Sequence, residues 1–233
     1  MRIRTQLLLW LLRYRRSAYL KLRRLNGLEI SKDDEFLDLH TELLACNRVT
    51  QTLAERYNLY GLAKATAGLP GALAEAGVYR GGSARILCAV KGSAPLYLFD
   101  TFEGMPHVNP ATDGGFRRGD FEDTACEDVT KYLSRFENVH IYKGIFPESA
   151  QGQEPSNQQY RFVHLDLDIC ESTYKALDFF YPRMVAGGII VSHDYSNLTV
   201  PGVKKAFTDF FKEKREPVIP LWDTQCAVVK LSS

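Results

Sequence analysis

Residues 72–83, ALAEAGVYRGGS, read as a buried strand, a glycine-rich turn and the start of a helix. The small apolar residues at the start predict the strand, and glycines at 77, 81 and 82 let the backbone come close to a ligand. The helix that follows offers free backbone N–H groups in its first turn. The spacing is not GxGxxG, so the turn lacks the dinucleotide fingerprint. Glu75 would repel a phosphate and suits a cationic amino group instead.

Beyond this segment, predicted strands and helices alternate along the chain. The further strands are predicted at 96–99, 138–142, 161–167 and 188–192, with two short final strands around 217–221 and 225–231. Helices are predicted across 33–67 and at 83–90, 172–180 and 203–214. Alternation implies a parallel sheet, and the close spacing of the last two strands implies a hairpin. The sequence therefore predicts an α/β fold with a doubly wound, mostly parallel, seven-stranded Rossmann-like sheet and an antiparallel C-terminal hairpin.

Four of the predicted strands end in an acidic residue, namely Glu75, Asp100, Asp166 and Asp194. The carboxyl ends of parallel strands share one rim of the sheet, and ligands bind there. At the end of the second strand, Asp100 is placed to accept hydrogen bonds from the hydroxyls of a ribose. This acid indicates a nucleoside cofactor without choosing between NAD and S-adenosylmethionine. A turn or helix-capping role for Asp100 is the structural alternative.

The sequences HLDLD and HDY, around Asp166 and Asp194, place a second group of polar residues on the same rim. Two carboxylates on neighbouring strands repel each other, and a hard divalent cation would supply the counter-charge. His193 could join as a nitrogen ligand, which would favour a transition metal such as Mn²⁺. In the alternative interpretation, Asp168 caps the next helix and His193 is a rim histidine with a structural role.

The amino terminus differs in charge from the rest of the chain. Residues 1–28 hold eight Lys or Arg and no acid, around the apolar run 7–12. This run is too short to span a bilayer, and no small-residue cleavage site follows it. Two interpretations stay open: a basic amphipathic helix on an anionic membrane surface, or a helix that packs on a partner subunit or covers the active site.

The composition excludes several classes of protein. With 29 Lys or Arg against 28 Asp or Glu, the 233-residue chain has a net charge of +1 and no field that would attract nucleic acid. Its five cysteines are scattered without a CxxC pair, which favours a reducing, cytoplasmic location over a disulfide framework. We expect one domain at 68–233, after a helical extension at 1–67.

The segment from Met105 to Asp120 is long and rich in glycine, proline and charge. Loops of this length usually serve as lids or binding loops. Arg117 and Arg118 would either meet an anionic substrate or remain solvated.

Four stretches, 75–83, 99–106, 164–173 and 187–195, together resemble the macrocin O-methyltransferase family. The resemblance covers roughly residues 45–230. It implies a class I S-adenosylmethionine-dependent O-methyltransferase that methylates a hydroxyl of a sugar or a glycosylated small molecule. It also implies a divalent metal, Mg²⁺ or Mn²⁺, held at the acidic rim.

The resemblance carries roles onto individual residues. The residues implied to bind the cofactor are Glu75, Gly77, Tyr79, Ser83, Asp100, Asp120 and Phe121. The first four would contact its methionine part, Asp100 its ribose, and the last two its adenine.

The metal site and the proton acceptor are predicted at the acidic rim. The resemblance implies that Asp166 and Asp194 hold the metal, and His193 between them is the candidate third ligand. The candidate catalytic bases follow from the chemistry of the reaction: a carboxylate, Asp166 or Asp168, or the imidazole of His193, would take the proton of the acceptor hydroxyl. The family commonly carries two adjacent acids before the tyrosine that is Tyr195 here, and His193 replaces the first of them. This site therefore has one negative charge fewer.

Two other classes of function stay open. An NAD-dependent oxidoreductase would share the sheet and Asp100, but it should show GxGxxG after the first strand. A non-catalytic Rossmann-like interaction domain would keep the fold and lose cofactor binding. We expect small-molecule sugar substrates, no nucleic acid and a homo-oligomer. We also expect a cytoplasmic location, where residues 1–28 would meet the inner face of the membrane in the first interpretation of that segment.

Overall fold

The computed structural model describes residues 3–232, so Met1 and Arg2 of the predicted basic segment and Ser233 of the predicted domain lie outside the described residues. The strands are β1 (Ala72–Ala76), β2 (Leu96–Asp100), β3 (Val139–Lys143), β4 (Tyr160–Leu165), β5 (Met184–Ser192), β6 (Ile219–Pro220) and β7 (Cys226–Val229). The α-helices of the described part are α1 (Ile3–Tyr14), α2 (Arg16–Leu22), α3 (Asp34–Cys46), α4 (Leu53–Ala65), α5 (Gly82–Val90), α6 (Cys126–Leu133), α7 (Cys170–Phe180) and α8 (Pro201–Phe211).

The strands form one sheet in the order β3-β2-β1-β4-β5-β7-β6. The first five in this order pair in parallel, whereas β7 is antiparallel to both β5 and β6. The predicted fold class, a doubly wound and mostly parallel seven-stranded sheet with a C-terminal hairpin, is therefore confirmed.

Helices cover both faces of this sheet because its central strands are apolar on both sides. One face packs residues such as Leu73 and Leu98 against α3, α4, α5 and α6. The other packs residues such as Phe99 and Val163 against α7 and α8. Strands buried on both faces read as nearly continuous apolar runs, as expected for a parallel sheet between two helical layers.

The order of the strands reverses between β1 and β4. From β1 the chain moves outward through β2 and β3, then returns to place β4 on the other side of β1. At such a switch point the loops after adjacent strands diverge and leave a crevice at the carboxyl ends, where ligands bind in doubly wound folds. The topology therefore places a cleft between the loops that follow Ala76 and Leu165.

The predicted helical stretch at 33–67 is two helices, α3 and α4. Asn47 ends α3 in the left-handed conformation, with φ +54°. Thr52 begins α4 with a capping box, in which its hydroxyl accepts from the backbone N–H of Glu55 and the Glu55 carboxylate accepts from that of Thr52. The residues between the helices, 47–52, consequently form a short loop.

Several further bounds differ from the sequence prediction, among them the end of β4 at Leu165 instead of 167 and the span of α8, which is Pro201–Phe211 instead of 203–214. Strand β5 begins at Met184 instead of 188, because its first residues pair with Tyr160 across an irregularity in register before the regular ladder begins at Ile189. Gly187, with φ +80°, lies within that irregularity. Helix α6 was not predicted.

The predicted N-terminal extension is helical. Helices α1 and α2 pack on α3 through a small apolar cluster formed by Leu12, Tyr19, Leu20 and Leu37. Arg16 at the start of α2 also forms ion pairs with Asp34 and Asp38 of α3. Among the described residues, no helix combines the length and the apolar character that crossing a membrane requires.

Candidate active site

A cleft of about 270 Å³ opens at the carboxyl ends of the central strands. The predicted site residues that line it are Gly77, Tyr79, Ser83, Asp100, Asp120, Phe121, Asp166, Asp168, His193 and Asp194. The structure thus brings together residues from the connections that follow four strands, β1, β2, β4 and β5, as the shared rim of a parallel sheet requires.

Gly77 allows the close approach of two loops at the switch point. Its φ is +88°, and a β-carbon built on it would lie 1.8 Å from the backbone oxygen of Asp166. No side chain fits in that space, so only glycine lets the turn after β1 pass the end of β4. The two loops consequently form one continuous wall of the cleft.

Asp100 holds the glycine-rich turn in place. Its Oδ2 accepts hydrogen bonds of 2.7 Å from the backbone N–H groups of both Val78 and Tyr79, and its Oδ1 accepts one from Phe102. A carboxylate offers about four acceptor positions, so roughly one remains for an outside donor such as a ribose hydroxyl. Asp100 therefore combines the turn-stabilising role and the ligand-facing position that the sequence left as alternatives.

Several non-glycine residues of this rim have left-handed backbones. They are Tyr79, Phe102, Asp168 and Asp194, with φ between +50° and +62°. This conformation costs roughly 1–3 kcal/mol per residue and is concentrated at functional sites, where surrounding contacts enforce it. Its presence in four loops of one cleft marks the rim as a site with a constrained geometry.

Tyr79 and Phe121 form one wall of the cleft, and Phe121, with Asp120, is predicted to lie near the adenine. The two rings meet edge to face, with centroids 5.4 Å apart. The Tyr79 hydroxyl donates to Asp123 at 2.6 Å, which fixes the ring. The main chain beside Phe121 is fixed as well, because Asp120 O accepts from Met105 N and Gly119 N donates to Met105 O.

The loop that begins at Met105 is anchored in its middle as well as at its base. The Asp113 carboxylate is buried and accepts hydrogen bonds from the backbone N–H groups of Asn109 and Cys170. Cys170 is the first residue of α7, so the loop is tied to the helix that follows β4. Arg117 and Arg118 are exposed and do not line the cleft.

Glu75 lies behind the cleft rather than in its lining. Its side chain has no exposed area, and Oε1 is 2.7 Å from Nδ1 of His164, which is equally buried. Glu75 and His164 are directly opposed in the register of β1 and β4. Burial raises the pKa of Glu75, and the neighbouring His164 only partly offsets this effect. The structure therefore places Glu75 one layer below the predicted cofactor contacts.

Asp166, His193 and Asp194 all line the cleft and converge there, with one ligand atom of each within 4.8 Å of the others. Nδ1 of His193 lies 2.8 Å from Asp194 Oδ2 and 3.5 Å from Asp166 Oδ1. The other ring nitrogen, Nε2, lies 3.2 Å from Oε1 of Glu55 on α4. His193 is thus surrounded by three carboxylates.

These carboxylates determine the charge of the histidine. Burial alone would lower the pKa of His193, but the negative charge of Asp166 and the contacts with Asp194 and Glu55 raise it to about 12. Burial similarly acts to raise the pKa of Glu55, and His193 reverses this and lowers it. Without another cation, the imidazolium is therefore the counter-charge of the rim.

Asp168 shows the opposite effect. Burial, followed by the negative charges of Asp166 and Asp194, raises the pKa of Asp168 well above its usual range. The four carboxylates around this point are thus not equivalent, because Asp194 is held ionised by His193 whereas Asp168 binds a proton more readily.

The donor set fits a divalent cation. Asp166 and Asp194 offer oxygen atoms, and Nδ1 of His193 faces both of them. Because Nε2 faces Glu55, a proton on Nε2 would leave the lone pair of Nδ1 directed at the two acids, as in the carboxylate–histidine–metal arrangements of metalloproteins. The mixed oxygen and nitrogen set suits a first-row metal such as Mn²⁺ better than Mg²⁺.

Sequence reasoning missed three residues of this site, Arg48, Gln51 and Glu55. Arg48 and Gln51 line the cleft, and Gln51 Nε2 donates to Asp166 Oδ2 at 3.3 Å. All three lie in or just after the loop between α3 and α4, which carries no recognisable motif. The capping pattern from Thr52 to Glu55 was the only local signal, and it indicates the start of a helix rather than a site.

Comparison with known proteins tests the resemblance seen in the sequence. The family model described as Macrocin-O-methyltransferase (TylF) matches residues 55–229, which is well over half of the chain. The chain belongs to this family. The predicted resemblance is confirmed, and the match includes every predicted site residue.

Two curated relatives are O-methyltransferases by name, and the name of the first includes a rhamnosyl group. An 8-demethyl-8-(2,3-dimethoxy-alpha-L-rhamnosyl)-tetracenomycin-C 4'-O-methyltransferase of Streptomyces olivaceus is 30% identical over 55% of this chain and 54% of the relative. A demethyldecarbamoylnovobiocin O-methyltransferase of Streptomyces niveus is 24% identical over 61% of this chain and 58% of the relative. The chain thus spans about half the length of the curated relatives that it matches.

Solved structures confirm the class of the fold. The calicheamicin methyltransferase CalS11 superposes with a TM-score of 0.69 at 18% identity, over 97% of this chain and 90% of that one. The O-methyltransferase NovP superposes with a TM-score of 0.67 at 20% identity, over 79% and 83%. This macrocin O-methyltransferase family member therefore has the class I methyltransferase fold.

Proposed function

We propose that the chain is an S-adenosylmethionine-dependent O-methyltransferase that methylates a hydroxyl of a sugar or a glycosylated small molecule. One observation carries the proposal: a nucleoside-type cleft at the switch point and the Asp166–His193–Asp194 cluster open into the same cavity. Family membership supports S-adenosylmethionine as the cofactor and favours methyl transfer over the oxidoreductase and interaction-domain alternatives.

The cofactor would lie along the turn after β1. Gly77 leaves room for its methionine part beside Tyr79 and Ser83, and the free acceptor position of Asp100 would bind a ribose hydroxyl. Phe121 and Asp120 would border the adenine. Glu75 would act from beneath, by holding His164 and thereby the ends of β1 and β4.

Methyl transfer from a sulfonium is an in-line displacement, so the protein must mainly align the acceptor hydroxyl and remove its proton. Asp168 is the proposed base because its pKa is raised, which lets a carboxyl take up a proton nearer to neutral pH. His193 is a poor candidate, since both of its ring nitrogens face carboxylates. Asp166 accepts a hydrogen bond from Gln51 and is better placed to bind the cation than to act as the base.

The proposed mechanism also uses a divalent cation, Mn²⁺ or Mg²⁺, which Asp166, His193 and Asp194 would hold. When bound, such a cation lowers the pKa of a coordinated hydroxyl, which two vicinal hydroxyls of a sugar would exploit. Glu55 would orient His193 from behind. The predicted homo-oligomer and cytoplasmic location remain predictions.

Calorimetric titration of the full chain with S-adenosylhomocysteine, first in EDTA and then with Mn²⁺ or Mg²⁺, tests the proposal. We expect micromolar binding of S-adenosylhomocysteine, and separate binding of Mn²⁺ that Asp166→Asn removes. Asp178→Asn, which changes an exposed acid on α7, is the matched control and should bind both as the unmodified chain does. Failure to bind S-adenosylhomocysteine under every condition would overturn the assignment.

A further inference from the structure

Helix α1 is apolar on two opposite faces. Its inner face buries Leu9 and Leu12 against the rest of the protein. On its outer face, Leu7, Trp10 and Tyr14 are 54%, 51% and 70% exposed. These three follow one another at helical spacing, so they form a single stripe, which we call the α1 stripe. A stripe of large apolar side chains rimmed by polar groups marks an interaction surface.

The surroundings of the α1 stripe are basic. Arg13 and Arg15 are exposed beside it, and the sequence contains no acidic residue from 1 to 28. Arg16 differs from these two arginines, because it forms ion pairs with Asp34 and Asp38 of α3. Neither Arg13 nor Arg15 is ion-paired with any residue that the structure describes. The charge around the stripe is therefore available to an anionic partner.

The structure argues against the two other occupants considered for this segment. None of the described residues from 3 to 28 lines the cleft, so α1 does not cover the candidate active site. A second copy of the chain would meet the stripe through a two-fold axis, which brings the same patch of each copy together. Such pairing would place Arg13 and Arg15 of both copies near one another without an acid from this segment to compensate them.

We propose that the α1 stripe binds the surface of an anionic lipid bilayer. Tryptophan and tyrosine side chains favour the level of the lipid headgroups, and flanking arginines are attracted by anionic lipids. The helix would lie in the plane of the interface with Trp10 and Tyr14 inserted and Arg13 and Arg15 at the phosphates. This inference goes beyond the proposed function and does not depend on it.

Tryptophan fluorescence gives a direct test because the chain has only Trp10 and Trp222. In the full chain carrying Trp222→Phe, the emission reports Trp10 alone. We expect a blue shift on addition of phosphatidylglycerol-containing vesicles and none with pure phosphatidylcholine vesicles. An unchanged spectrum with anionic vesicles would overturn the proposal, as would an equal shift with neutral ones.

Co-sedimentation with the same anionic vesicles measures the contribution of the charges. Each basic residue near an anionic surface contributes a factor of about five to binding, so Arg13→Glu with Arg15→Glu should weaken it by at least about thirtyfold. The matched control reverses Lys212 and Arg215, exposed beyond α8 on the opposite face of the sheet, and should bind as before. If the two double variants weakened vesicle binding equally, the effect would come from the net charge of the protein, and the assignment to α1 would be wrong.

Two measurements separate this result from loss of structure and from self-association. Thermal unfolding and S-adenosylhomocysteine binding of the α1 variants should match those of the unmodified chain, because the changed side chains are exposed and outside the cleft. Sedimentation velocity of Trp10→Ser with Tyr14→Ser addresses assembly. If these changes dissociate a dimer while vesicle binding is absent, the stripe is a subunit interface and the proposal is wrong.

Discussion

The helical layer beneath α2 and the carboxyl rim of the sheet each bury a histidine, and the two differ in charge. His40 of α3 bonds the Tyr19 hydroxyl at 2.9 Å, and burial followed by the positive charges of Arg56 and Arg23 lowers the pKa of His40 to about 3. Three carboxylates raise the pKa of His193 to about 12. Burial is common to both residues, so their neighbours decide the charge.

The two regions therefore differ in the charges that they bury. The N-terminal layer has a neutral histidine in its interior and carries arginines on its surface. The rim concentrates carboxylates around one point and holds a positive charge among them. Burying several negative charges close together is costly unless a cation or a ligand compensates them. Groups whose pKa values are shifted in this way are concentrated at functional sites, so the rim is the better candidate for chemistry.

The largest expected effect comes from Asp168, the rim carboxyl with the raised pKa. Asp168→Asn removes the proposed base and keeps the shape of the side chain, so kcat should fall by about 10²–10⁴. Binding of S-adenosylhomocysteine should be unchanged. The measurement is methyl transfer to an acceptor that the unmodified chain methylates, with Asp178→Asn as the control. An unaltered kcat would assign the proton transfer to another group.

A smaller effect is expected at Glu55, which is one of the three carboxylates around His193. Glu55→Gln should weaken Mn²⁺ binding by roughly 10–100-fold, because the imidazole loses the carboxylate that orients it. Glutamine preserves the capping box of α4, so the helix itself should be retained. Titration of Mn²⁺ by electron paramagnetic resonance measures this without turnover. The matched control, Glu35→Gln, changes an exposed acid of α3 and should leave the Mn²⁺ affinity as it was. An equal Mn²⁺ affinity in the two variants would contradict the role of Glu55.

The smallest effect concerns His40 and the pH dependence of stability. The folded-state pKa of about 3 lies below the ordinary 6.5, so between these values the unfolded chain binds more protons. Stability from this group is therefore complete above pH 6.5 and is lost as the pH falls towards 3. At pH 5.5 the loss should be about 1 kcal/mol.

Urea denaturation at pH 7 and 5.5 measures this loss. In His40→Gln this share of the pH dependence should disappear, whereas the exposed His107→Gln should retain it. If the His40 variant lost as much stability on acidification as the unmodified chain, His40 would not be the neutral group of this layer.

Local patterns in the sequence were sufficient for the sheet, because parallel strands are short apolar runs between turn signals. Helix α6 gives no such apolar signal and was missed, because its sequence CEDVTKYL is largely polar and buries only Val129 and Leu133. The break between α3 and α4 depends on Asn47, whose left-handed backbone has no unambiguous sequence signal.

The site was predictable where it consists of acids at strand ends. It was not predictable where packing brings in residues from a different part of the chain. Glu55 reaches His193 only because α4 packs against the sheet beside β5. Glu75 was assigned to the rim by its position near the end of β1, but the register opposes it to His164, and alternation along the strand points it into the core beneath the cleft.

The double anchoring of the loop from Met105 to Asp120 has a consequence for engineering. One pair of backbone hydrogen bonds closes the base of the loop, and Asp113 fastens its middle to α7. The segment between these fixed points, residues 106–112, is itself tied to Asp113 through Asn109, whose backbone N–H donates to the Asp113 carboxylate and whose carbonyl accepts from Asp113 N. Other sequences grafted around Asn109 would change the border of the cleft at Pro106 while the two anchors of the loop are kept.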